Sequence, residues 1–182
     1  MKAADRTARD QRRTVLLLSV VFLLGGGCGT LLSLWFPANE SSAILLSGGM
    51  DLSLSPPVWI ELLIALRWPV LILTGSVIPT AGILIPFLFF LRGCLLSYGI
   101  SAVIWSGLHS AEVYCFLLFG PTCVFALPMF FLLGVACLTE ILSGKPSKDR
   151  SRILLFSVPA LLSCMVLDCR IVPLLLHQIN GG

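Results

Sequence analysis

Residues 15–36 read VLLLSVVFLLGGGCGTLLSLWF, with no charged side chain among them, and Lys2, Arg6, Arg9, Arg12 and Arg13 come before them. A helix of ~20 apolar residues covers the ~30 Å hydrocarbon core of a bilayer. A basic start and an apolar middle also describe a cleaved secretory signal. That alternative takes a shorter apolar run and a small-residue cleavage site, and no Ala-x-Ala follows here. The stretch therefore reads as a retained signal anchor. Trp35 falls where an interfacial aromatic belongs.

The rest of the chain has the same character. Of 182 residues, 57% are hydrophobic and 12% charged, and the mean hydropathy is +1.00. A soluble domain needs roughly twice that share of charge to cover its surface. The expected class is all-α: a polytopic integral membrane helix bundle, with the lipid bilayer as its first partner. No soluble domain is large enough to work alone. The net charge of +3 is small, and no nucleic-acid partner is expected.

The positions of the charges set the topology. Nine of the twelve basic residues fall in two clusters: the five before residue 15, and Lys145, Lys148, Arg150 and Arg152. Residues 37–57 hold no Lys or Arg, only Glu40 and Asp51. By the positive-inside rule both clusters face the cytoplasm and residues 37–57 face out. An odd number of crossings must then join residue 58 to residue 142. One leaves too much apolar chain over, five do not fit, and three do. The expected layout is about five transmembrane helices, at residues 15–36, 58–78, 81–108, 113–142 and 153–178. The N-terminus is cytoplasmic and the C-terminus outside. Residues 1–13 form a basic cytoplasmic N-terminus, and residues 14–182 a single membrane-embedded helical domain. Pro79, Ala81 and Gly82 offer the break between the second and third spans. Gly120 and Pro121 break the register of the fourth, which is too long for one straight crossing. An alternative places the second span at residues 68–91, with Arg92 at its inner end. It leaves only residues 93–108 for the third, fewer than a crossing takes.

No catalytic constellation stands out. His109 and His177 have no second histidine or acidic residue at a metal-ligand spacing such as HExxH. The cysteines, Cys28, Cys94, Cys115, Cys123, Cys137, Cys164 and Cys169, include no CxxC pair, and in apolar helices free Cys is mostly a small packing residue. His109 and Cys115 are the one pair to weigh, since membrane-embedded cysteine peptidases also bring a His to a thiol near a membrane face. Here no third residue orients His109. No GxSxG, phosphate-binding loop or paired carboxylate is present. The chain is expected not to be an enzyme, and no catalytic, cofactor-binding or metal residue is assigned.

Charges within the spans are the sharper candidates. Arg92 lies eleven residues into the third span, about 16 Å along a helix. It either snorkels to the inner headgroups or makes a buried contact with another helix or a partner protein. Glu140 matches its depth better than Glu61 does. Arg67 and Glu61 are six residues apart and do not share a helix face. Asp168 and Arg170 fall near the outer end of the fifth span, within reach of water. Small residues mark close helix packing: Gly25, Gly29 and Ser33 in the first span, and Gly93, Ser97 and Ser101 in the third. Such stripes let helix backbones approach closely.

Several of these stretches resemble the stage II sporulation protein M family. Leu23-Leu24-Gly25-Gly26-Gly27-Cys28-Gly29 is similar to that family's opening span. The block from Gly75-Ser76-Val77-Ile78-Pro79-Thr80-Ala81-Gly82 to Phe89-Phe90-Leu91-Arg92-Gly93-Cys94-Leu95-Leu96-Ser97-Tyr98-Gly99 resembles its Gly-containing break, basic-Gly pair and small-residue helix. Gly120-Pro121 and Ala126-Leu127-Pro128 resemble its proline-bearing fourth span, and Asp168-Cys169-Arg170-Ile171-Val172-Pro173 its acidic-then-Pro ending. The resemblance covers nearly the whole chain. It implies a multi-pass protein of a bacterial cell membrane, acting as a non-catalytic scaffold in forespore engulfment. The implied partners are other membrane proteins, among them the peptidoglycan-degrading stage II sporulation proteins D and P. The alternative class is a transporter component, such as the substrate-binding subunit of an energy-coupling vitamin transporter. Those chains are equally small and apolar but usually have six spans. Pro69, Pro79 and Pro86 interrupt spans as transporter sites often require.

Overall fold

The computed structural model describes the backbone at residues 2–36, 58–76, 80–105, 111–143, 155–156 and 159. Side chains are described from residue 9 in the first helix and from residue 67 in the second. The main elements are all helical: α1 Lys2–Trp35, α2 Val58–Gly75, α3 Ala81–Trp105 and α4 Ala111–Pro121, then a π-helical turn Thr122–Ala126 and α5 Leu127–Ser143. Three stretches are long and apolar enough to cross a membrane: Arg9–Trp35, Ala81–Trp105 and Ala111–Leu142. The chain is a helical membrane protein. The expected fifth span at residues 153–178, the segment at 37–57 and the basic loop at Lys145 lie outside the described residues.

The observed helices refine the expected boundaries. α1 starts at Lys2, so the basic residues before residue 15 are helical and continuous with the first span. Residues 2–24 contain no Gly or Pro to stop it, and the Thr14 hydroxyl donates to the Asp10 carbonyl at 3.0 Å. At ~1.5 Å per residue the helix exceeds the hydrocarbon thickness, which leaves its charged turns beyond the apolar core. α2 is described from Val58 to Gly75. Ser76 closes its last turn, N–H to the Ile72 carbonyl at 2.9 Å and hydroxyl to the Leu73 carbonyl at 2.7 Å. The Thr80 carbonyl then accepts the N–H groups of Ile83 and Leu84, starting α3. The described parts of residues 68–91 belong to two helices, α2 and α3.

The long helical run at residues 111–143 carries its irregularity where two prolines bracket it. Leu127 N–H donates to the Thr122 carbonyl, five residues back. Pro128 has no N–H for the Val124 carbonyl, and its ring crowds that carbonyl. A widened π turn relieves the conflict. The register break expected at Gly120 and Pro121 thus occurs over the five residues after them, and the helical run continues through it.

α3 is the central element: 44% of its membrane-length window is buried, against 17% for α1 and 22% for residues 111–142. Phe89 on α3 is fully buried. It stacks on Phe130 with centroids 4.3 Å apart and meets the edge of Phe131 at 4.9 Å. Phe22 from α1 reaches Phe131 at 5.4 Å, and Trp68 from α2 reaches Phe130 at 6.0 Å. Four helices thereby converge on one aromatic core, packed around by Leu18, Ile72, Ile85 and Leu133. Leu96 and Val103 of α3 join Leu118 and Phe119 of α4 in a second cluster. The outside is also apolar, with Leu23, Trp105, Phe116 and Val124 all largely exposed. In water such a surface would aggregate; in a bilayer it meets lipid chains.

Candidate functional site

Three glycines weld α1 to α3. A Cβ placed on Gly25 would overlap the Phe90 carbonyl oxygen, one on Gly29 the Cys94 carbonyl oxygen, and one on Gly93 the Phe22 carbonyl oxygen. No side chain fits at any of the three. Ser97 comes within 4.0 Å of a Cβ built on Gly26. Ser33 and Ser101 are both buried, and the Ser33 hydroxyl donates to the Thr30 carbonyl of its own helix at 2.8 Å. Gly25, Gly29, Gly93 and Ser97 thus lie at or beside one joint. At its far end the Tyr98 hydroxyl donates to the Phe36 carbonyl at 2.9 Å.

The register of this joint fixes a direction. Gly25 faces Phe90 and Gly29 faces Cys94, so four residues forward on α1 correspond to four forward on α3. The two helices run parallel. α2 is the helix between them in chain order.

The intramembrane charges sit behind the joint. Arg92 is 6% exposed. Its Cζ is 5.2 Å from the Trp68 ring centroid, and the Cζ of Arg67 is 5.5 Å from the same centroid. A guanidinium over an indole face gains electrostatically from the ring quadrupole, more so where water is excluded. Glu140 on α5 is half-buried. Glu61 precedes the described side chains.

Sequence reasoning missed three participants. Gly134 on α5 is a lone glycine without a four-residue partner, yet a Cβ there would overlap the Phe89 ring. Trp68 gave only a candidate helix boundary, whereas it is the shared face for two arginines. Tyr98 carried no signal until Phe36 was placed beside it. The thiol of Cys115 donates to the Ile100 carbonyl at 3.7 Å. His109, His177, Cys164, Cys169, Asp168 and Arg170 lie outside the described residues. Among the described residues no group of three His, Cys, Asp or Glu side chains could hold a metal ion.

Compared with known protein families, curated proteins and solved structures, the chain matches none.

Proposed function

We propose that this protein is a non-catalytic membrane scaffold of the stage II sporulation protein M kind. In this reading it spans a bacterial cell membrane five times, with its N-terminus in the cytoplasm and its C-terminus outside. It recruits peptidoglycan-degrading partners, stage II sporulation proteins D and P, during forespore engulfment. One observation carries the reading. Two of the stretches that carry the resemblance, residues 23–29 and 89–99, interlock through Gly25, Gly29 and Gly93. Glycines at a backbone contact are not freely replaceable, so a pattern shared at these positions is tied to how the helices pack rather than to composition. The parallel run of α1 and α3 also suits an alternation in which the first and third spans point the same way.

The test is an affinity pull-down of the full chain from sporulating cells in mild detergent. Co-purification of the two cell-wall hydrolases is the expected result. A chain that accumulates normally, brings down neither hydrolase and is dispensable for engulfment would overturn the proposal.

A further inference from the structure

Two guanidinium groups meet on one indole in the interior of the helix bundle. Arg67 is the tenth of eighteen residues of α2, and Arg92 the twelfth of twenty-five of α3, so neither lies near a helix end. Between them Trp68 is only 8% exposed. Its Nε1 is shielded from solvent and has no hydrogen-bond acceptor among the described residues, and the same holds for Nε and Nη2 of Arg67. The cation–π contacts use the face of the ring, which leaves these in-plane donors unanswered among the described residues.

The surface beside Arg67 is open. Val70 and Leu71 are 47% and 44% exposed, and Thr74 is exposed as well. These positions follow Arg67 by three, four and seven residues, which places them on its face of the helix. Arg67 thus heads an apolar stripe that a second helix can lie along.

We propose that Arg67, backed by Trp68 and Arg92, receives the carboxylate of an Asp or Glu on a transmembrane helix of a partner protein. The chemistry is complementary on both sides. A planar guanidinium fork takes a carboxylate through two parallel hydrogen bonds. An acidic residue within a span is itself costly and seeks a cation at its own depth. A mid-helix position lies roughly 15 Å from either headgroup layer, which favours a helix-borne acid over a lipid phosphate. The inference deepens the scaffold reading and rests on its premise that the chain binds other membrane proteins.

The test uses the purified full chain in phosphatidylcholine vesicles, with energy transfer to a dye-labelled Leu/Ala-rich transmembrane peptide. One peptide carries a single central Glu and its control a central Gln. The Glu peptide is expected to bind about tenfold more tightly. Arg67→Gln should abolish that preference, while Arg67→Lys, which keeps the charge but not the fork, should retain part of it. An unchanged gel-filtration profile of each variant shows that the fold is kept. Equal binding of the two peptides, or a preference that survives in Arg67→Gln, overturns the proposal. Loss of the preference when phosphatidylglycerol is added to the vesicles also overturns it, by showing that the site takes a lipid phosphate. The scaffold reading stands or falls on the hydrolase pull-down, so the two fail separately.

Discussion

At the scale of single residues, the glycines divide sharply by what surrounds them. Gly25, Gly29 and Gly93 face backbone carbonyls that cannot move aside, whereas Gly27 has nothing within 4 Å of a built Cβ. Gly25→Leu and Gly29→Leu should force α1 off α3 and cost at least the ~1–3 kcal/mol typical of overpacking. A loss of that size lowers accumulation several-fold. Gly27→Ala, and exchange of the exposed Leu17 or Leu31 for another large apolar residue, should leave accumulation unchanged on membrane immunoblots. Equal levels for all these variants would mean that the glycine stripe faces lipid. Arg92 gives a second residue-scale prediction. Lysine can snorkel as well as arginine but lacks the planar group that lies over Trp68. Arg92→Lys and Arg92→Leu should therefore both reduce the level of folded protein and, in a spore former, engulfment as seen with a membrane dye. Normal accumulation and complementation by both would make Arg92 a surface anchor. The glycine stripes were legible in the sequence because GxxxG repeats along one helix. Gly134 was not, because its reason is a ring on a different helix. For the same reason the sequence marked Arg92 as an unusual charge but did not reveal the indole it shares with Arg67.

At the scale of elements, the clearest case is the helical run at residues 111–143. Its length and its prolines announced an irregularity, but not its form. Gly120 and Pro121 are the conspicuous breakers, yet the widened turn is the one that spares Val124 from Pro128. Restoring a regular helix with Pro121→Ala and Pro128→Ala should remove the π turn. Because one residue of α-helix turns ~100°, deleting the bulge re-aims everything after it. Cys137, 1% exposed in the structure, should then swing out of the core. In a background where the other cysteines are replaced, a membrane-permeant maleimide should label Cys137 in the double variant and not in the parent. Equal labelling would show that the π turn is not set by the prolines. The start of α1 was not legible in the sequence: helix propensity, unopposed by Gly or Pro, carries the helix back to Lys2 through the basic residues. By contrast, the start of α3 at Ala81 was legible, because Pro79, Ala81 and Gly82 offered a break there.

At the scale of the whole molecule, the account rests on alternation across the membrane. α1 and α3 run parallel, and in the five-span proposal α2 is the crossing that returns between them. The remaining crossings rest on the distribution of Lys and Arg, a signal that folding geometry does not replace. It also separates the scaffold from the six-span transporter alternative, whose C-terminus would lie inside. The most direct measurement is a set of fusions to a reporter active only outside the cytoplasm, placed within residues 41–51, after Ser147 and after Gly182. The five-span account predicts activity at the first and last positions and silence after Ser147. Activity after Ser147, or silence after Gly182, would contradict it.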